Sequence, residues 1–260
     1  MTYIKSRSNE RIKLLSSLLA GKKARKKTGL FVLEGARLCA DAADTLPIQE
    51  AYLTEKALDK YEPQAKKILA KASLAYIIDE EISSRISDTS ASQGVFCVCK
   101  QSDVVKGPER PDPKGNYLAL ENIQDPANLG AVARTAEALG LDGLILDGGC
   151  DIFNPKALRA AMGSSLRIPI TNTDDLEALL FEARAWGMLT VGLTPSGDPT
   201  ALKKLRAEGG NICLVGNEGQ GLSPAVLEAC ELRAAIPMKG RAESLNAAAA
   251  AAIIMWELVR

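Results

Sequence analysis

Three short segments gather the side chains best suited to chemistry, and each follows an apolar run. Residues 121–135 carry Asn128 and, six positions later, Arg134. Residues 215–223 hold Gly216, Asn217, Glu218, Gly219 and Gly221. Residues 236–247 run through Ile236, Met238, Lys239, Arg241, Glu243, Ser244, Leu245, Asn246 and Ala247. Arginine inside an otherwise apolar helix must reach either a surface or an anionic partner. Arg134 is therefore a plain surface residue or a guanidinium facing a phosphate or ribose. Glycines at 216, 219 and 221 permit close backbone approach and positive φ, and Glu218 stands among small residues as a carboxylate aimed into a pocket would. The alternative there is a simple turn into a helix near Ser223. Asn128 and Ser244 read as helix N-caps. The second of these helices could receive a ligand carboxylate at its N-terminus, or merely be capped.

What is missing narrows the chemistry further. The 260 residues include no histidine. Ser-His-Asp and Cys-His catalysis and HExxH zinc sites are excluded. The second segment is neither GxGxxG nor a Walker loop, so a dehydrogenase or NTPase site has no support. The six cysteines, at 39, 97, 99, 150, 213 and 230, form no CxxC pair. They read as buried thiols in a reducing cytoplasm, not as metal ligands. The N-terminus has no apolar signal region, and the longest uncharged apolar stretch, 247–256, is about half a membrane span.

The elements that must position these segments alternate along the chain. Residues 103–116 contain Pro108, Pro111 and Pro113, which read as a linker. It separates a domain at 1–105 from one at 117–260, with 106–116 between. In the C-terminal part, short apolar runs at 117–121, 143–147, 167–171, 189–193, 212–215 and 234–237 read as strands. Helical stretches follow at 129–139, 155–162, 174–186, 200–208, 224–229 and 244–259. Such alternation implies a parallel sheet covered by helices. The three polar segments then fall beyond the strand ends, where ligands bind. The N-terminal part reads as a smaller α/β domain. Residues 1–110 hold 19 basic against 14 acidic residues, and 1–27 hold nine against one. Lys5, Arg7, Arg11, Lys13, Lys22, Lys23, Arg25, Lys26 and Lys27 thus form either an RNA-facing patch or a solvated helix face.

Together the three segments closely resemble the signature motifs of the SpoU (TrmH) family of RNA 2′-O-ribose methyltransferases, of the SPOUT class. The matching residues are Asn128-Leu129-Gly130 with Arg134-Thr135-Ala136, Gly216 through Leu222, and Ile236 through Asn246. The N-terminal part is similar to the substrate-binding domain often fused to that family, through Ile4-Lys5-Ser6, Asn9, Phe31-Val32-Leu33-Glu34-Gly35 and Ser92-Gln93-Gly94-Val95.

The resemblance implies a C-terminal α/β domain with a deep trefoil knot and an N-terminal L30e-like domain. It implies S-adenosylmethionine held at Thr194, Gly216, Asn217, Gly219, Ile236, Met238, Leu245 and Ala247. Arg134 would meet the ribose and its phosphate, while Asn128, Glu218, Ser244 and Asn246 position the ribose and loops. No metal is needed. A homodimer through the C-terminal domain is implied, with each site drawing on both subunits. The two-domain build leans toward ribosomal RNA. A tRNA 2′-O-methyltransferase and a non-catalytic RNA-binding protein on the same fold are the alternatives.

Overall fold

A computed structural model describes residues 1–87, 89, 91–107, 110–205 and 210–260. They form two units, Met1–Val104 with Asp151–Arg167, and Val105–Cys150 with Ile168–Arg260. A single contiguous domain over 117–260 does not anticipate this, because Asp151–Arg167 belongs to the first unit. Pro108 of the predicted linker lies outside the described residues.

The first unit begins with β1 (Thr2–Ile4), α1 (Glu10–Ala20) and α2 (Lys22–Thr28). Asn9 caps α1 by accepting from the Arg11 N–H, and Ile12, Leu15, Leu18 and Leu19 recur at helical spacing as its buried face. Residues 22–27 are helical, and Gly29, at φ 67°, ends α2 in the left-handed region. Then come β2 (Leu30–Glu34), α3 (Ala36–Thr45), β3 (Ile48–Leu53), α4 (Glu55–Lys60), α5 (Glu62–Lys71), β4 (Ala72–Ile78), α6 (Glu80–Ile86) and β5 (Val95–Lys100). The strands order as β1-β4-β3-β5-β2, parallel at β1/β4/β3 and antiparallel at β3/β5/β2. The α1 leucines pack on Val32, Tyr52, Phe96 and Val98 of this sheet.

In the second unit, β6 (Asn116–Glu121), α7 (Pro126–Leu139) and β7 (Gly143–Asp147) come first. The chain then returns to the first unit as α8 (Pro155–Ala161). There the Phe153 ring lies 4.6 Å from Phe31, and Asp151 pairs with Arg25. The second unit resumes with β8 (Ile170–Thr173), α9 (Leu176–Ala185), β9 (Leu189–Asp198), β10 (Asn211–Val215), α10 (Pro224–Ala229), β11 (Leu232–Ala234) and α11 (Ala247–Val259). Its six strands order as β11-β9-β10-β6-β7-β8, and every pairing is parallel. β10 is buried at every position, as a strand covered on both faces must be.

Several predicted elements differ: the helices expected at 129–139 and 244–259 begin at Pro126 and Ala247, and the strand expected at 189–193 runs to Asp198. The strand expected at 167–171 starts at Ile170, because Arg167 closes a 3₁₀ turn onto Ser164. The strand expected at 234–237 ends at Ala234. The helix expected at 200–208 is a 3₁₀ turn at Ala201–Lys204, and Glu208 lies outside the described residues. Among those residues no helix is long and apolar enough to cross a membrane. All six cysteines are free thiols, and five are buried. Burial pushes the Cys230 thiol up to about 12, so it stays protonated.

Candidate functional site

The site grows from the carboxyl ends of β6, β9 and β10. Asp125, not Asn128, caps α7 by accepting from the Ala127 N–H, with Pro126 in the first turn. Asn128 sits one turn further along and is buried. Its side chain therefore bonds across the site. Asn128 Nδ2 donates to Glu218 Oε1 at 3.0 Å. Asn246 Nδ2 donates to Asn128 Oδ1 at 3.0 Å. Asn246, not Ser244, caps α11, accepting from the N–H groups of Ala248 and Ala249. One hydrogen-bonded chain thus joins all three sequence segments.

Glu218 is the anchor of that chain. Its carboxylate also accepts the backbone N–H groups of Gln124 and Asp125, each at 3.0 Å. Partial burial opposes its ionisation. The hydrogen bonds from Asn128, Gln124 and Asp125 outweigh that penalty and hold its pKa below the usual carboxylate range. Asn217 fixes the same loop from the other side. Its Nδ2 donates to Asn122 O at 3.0 Å, and its Oδ1 accepts from Gly219 and Gln220. Ser223 N–H donates to Glu121 Oε2 at 2.8 Å, and the Ser223 side chain caps α10.

The glycines of this loop have different roles. A Cβ on Gly216 would lie 2.2 Å from the Gly221 carbonyl carbon, so only glycine fits. Gly221 has φ 71°. Gly219 has neither restriction; its Cβ would meet nothing closer than 3.6 Å. Across the cleft, β9 and β11 pair at Gly192 with Arg233 and then at Asp198 with Ala234. That jump loops out residues 193–197 and brings Thr194 and Pro195 to the site.

A cleft of about 240 Å³ results. Thr194, Gly216, Asn217, Gly219, Ile236, Met238, Leu245 and Ala247 all line it, joined by Glu218 and Ser244. Gly221 and Glu243 line it too, as do Leu193, Pro195, Val215, Gln220 and Ala250, which sequence reasoning did not single out. For Leu193, Pro195 and Val215 the available signal was their place at or just past the carboxyl ends of the predicted strands. Arg134 is exposed on α7, outside the lining residues. The cleft combines apolar walls with exposed main chain and can take a flat heterocycle with a polar tail.

The basic residues of the first unit separate into two groups. Lys22, Lys23, Lys26 and Lys27 are exposed along α2. Arg25 is not available to a ligand: it is 2 % exposed. Its Nε donates to Asp151 at 2.7 Å and its Nη1 to Leu18 O at 2.6 Å. Arg25 is a structural residue, tying α1 and α2 to the Asp151 segment. Arg7 pairs with Glu81, Arg11 with Glu50 and Lys13 with Glu10. Lys5 lies over the Tyr3 ring, 5.8 Å from its centre.

The sequence profile of the SpoU rRNA Methylase family matches residues 115–256, and that of the MRM3-like substrate binding domain matches residues 9–97. The 23S rRNA (guanosine(2553)-2′-O)-methyltransferase RlmP of Bacillus subtilis is 33% identical over 259 residues, 99% of each chain. The AdoMet-bound rRNA methyltransferase from Sinorhizobium meliloti superposes with a TM-score of 0.83 at 31% identity, covering 99% of this chain and 97% of that one. A second solved structure, an RNA 2′-O ribose methyltransferase, gives 0.80 at 27% identity over 99% of this chain and 98% of its own.

Proposed function

The chain belongs to the SpoU rRNA methylase family, and on that premise we propose that it methylates a ribose 2′-hydroxyl of ribosomal RNA, with S-adenosylmethionine as methyl donor. One observation carries the reading: the chain of hydrogen bonds from Glu218 through Asn128 to Asn246 draws three distant segments together beside one cleft. The cleft fits the methyl donor. Leu193, Val215, Ile236 and Leu245 offer apolar contacts for an adenine ring, and the glycine-bounded turn at Gly216 leaves main chain open to its polar groups.

When bound, S-adenosylmethionine supplies a methyl carbon activated by its sulfonium. The protein's contribution is alignment and electrostatics. Asn128, Glu218 and Asn246 hold the loops in register, and Ser244 faces the cleft where a ribose would enter. Arg134 holds an RNA phosphate and stabilises charge developing on the attacking oxygen. A guanidinium offers donors and no acceptor, so Arg134 is a clamp and not the base. The hydroxyl proton leaves to a phosphate oxygen or to water.

Ribosomal RNA is favoured over tRNA by likeness to RlmP along both whole chains. The exposed lysines of α2 suit phosphate contacts. A homodimer is supported by an apolar stripe on α11, where Ile253 and Trp256 stand exposed. The family's trefoil knot is supported only by likeness of the whole chain to solved methyltransferase structures. Six free thiols suit the cytoplasm.

The test is transfer of labelled methyl to RNA from cells lacking the gene, with Arg134→Ala beside the wild type. Label recovered as a 2′-O-methylnucleoside in ribosomal RNA, and lost in the variant, is the expected result. Label on a base would overturn the ribose chemistry.

A further inference from the structure

The loop after β6 carries two exposed carboxamides that methyl transfer itself does not use. Asn122 has φ 54°, and Met162 is the other non-glycine residue with positive φ among those described. Asparagine tolerates that region, and such outliers concentrate at functional sites. The Asn122 backbone is held on both sides. Its N–H donates to Asp147 O at 2.8 Å, and its carbonyl accepts from Asn217. Gln124 is held as firmly. Its Nε2 donates to Asn122 Oδ1 at 2.7 Å and to Asn122 O at 3.2 Å. Its backbone N–H donates to Glu218, which lines the cleft.

Two exposed side chains are therefore ordered in advance. That ordering sacrifices rotamer entropy and buries no apolar surface in return. Its effect is preorganisation: a ligand meeting this pair would not have to immobilise it. The unused capacity is specific. Gln124 Nε2 has both hydrogens engaged and its Oε1 can still accept, while Asn122 Nδ2 can donate. A donor beside an acceptor complements the Watson–Crick edge of an unpaired base, the edge through which single-stranded RNA is read. We propose that Asn122 and Gln124 read the base of the nucleotide presented to the cleft and so set which nucleotide is methylated. This rests on the methyltransferase reading and adds the determinant of specificity to it.

The test uses the full-length protein, labelled S-adenosylmethionine and 23S rRNA transcripts. The methylated nucleotide is mapped first, and transcripts are then made with each other base at that position. The wild type should prefer one base by about 10- to 100-fold, the discrimination of a two-point base contact. Asn122→Gly, which keeps the positive φ, and Gln124→Ala should each erase most of that preference, chiefly through KM for RNA. Cofactor affinity by calorimetry should not move. An unchanged base preference in both variants would overturn base reading and leave methyl transfer standing. Loss of cofactor binding in both would make the pair structural and overturn it as well. No 2′-O-methyl label from the wild type on any transcript would sink both readings.

Discussion

Asn246 donates to Asn128 across 118 residues of chain, and the direction of that bond is fixed by a third residue. Asn128 must present its NH₂ to the Glu218 carboxylate, so its carbonyl oxygen faces Asn246. Position 246 must therefore donate to Asn128 while accepting from Ala248 and Ala249. A carboxamide does both with separate atoms, which a carboxylate cannot. Asn246→Asp keeps the helix cap but sets an acceptor against an acceptor. Flipping Asn128 would only move the conflict to Glu218. The expected outcome is a melting temperature lowered by a few degrees, since the mispaired bond costs the fold about 1.5 kcal/mol, with methyl transfer well below that temperature reduced about tenfold or more as the three segments lose register. Wild-type rates in this variant would remove the chain from the mechanism.

Glu218 links the site to pH. Its folded-state pKa lies below the ordinary 4.5 despite the opposing effect of burial. A depressed carboxylate contributes stability that is present above the unfolded pKa and is lost as pH falls through the folded one. The wild type should lose this contribution as pH drops below about 4.5, tracking protonation of Glu218. Glu218→Gln would set its NH₂ against the Gln124 N–H or, flipped, against the Asp125 N–H and the Asn128 NH₂. It should be less stable at pH 7 and show a flatter decline between about pH 5 and 3. Parallel urea midpoints for the two proteins across that range would contradict the assignment.

The pattern of the second unit was legible where burial dictates sequence. β6, β7 and β10 are short apolar runs because both faces are covered, and their ends gave the site. β11 was misread because β9 loops out 193–197 beside it, a register jump with no local signature. The α7 cap was misplaced by three residues although Asp125-Pro126 carries the sequence signal of a helix start. Arg25 could not be told from its lysine neighbours. Its role depends on Asp151, 126 positions away, in a segment that leaves one unit and packs in the other. Carboxamide polarity at Asn128 and Asn246 is equally non-local. Read from sequence alone, Asn128 and Ser244 are the caps, whereas Asn246 caps α11 and Asn128 bonds across the site.

Arg25 and the lysines around it should behave as opposites. Arg25→Ala leaves the partly buried Asp151 without its cation and the Leu18 carbonyl without its donor, a loss of about 3 kcal/mol. Denaturant midpoints should fall sharply. Lys22, Lys23, Lys26 and Lys27 are exposed, so replacing all four with alanine should leave those midpoints nearly unchanged. That variant should instead bind RNA more weakly. Its log affinity against log salt should flatten by about 0.7 for each phosphate that no longer meets a lysine. A salt slope equal to the wild type's would take α2 off the RNA-binding surface.

The apolar stripe on α11 leads to the last prediction. Trp256 is 55 % exposed and Ile253, three residues before it on the same helical face, is 37 % exposed. Ala249, four residues before Ile253, is also exposed. Small and large apolar residues at that spacing leave room for a facing helix. A buried tryptophan at the centre of a two-fold interface is commonly its strongest contact, and symmetry would count it twice. Trp256→Glu would bury two like charges and should give a monomer in sedimentation equilibrium at micromolar concentration. Its fold should persist, since Trp256 contributes little to the core of its own chain. If each site draws on both subunits, methyl transfer should fall with the dimer fraction and recover as protein concentration rises. A wild-type monomer would end the proposal of a dimer. A Trp256→Glu dimer of unchanged affinity would move the interface to another face.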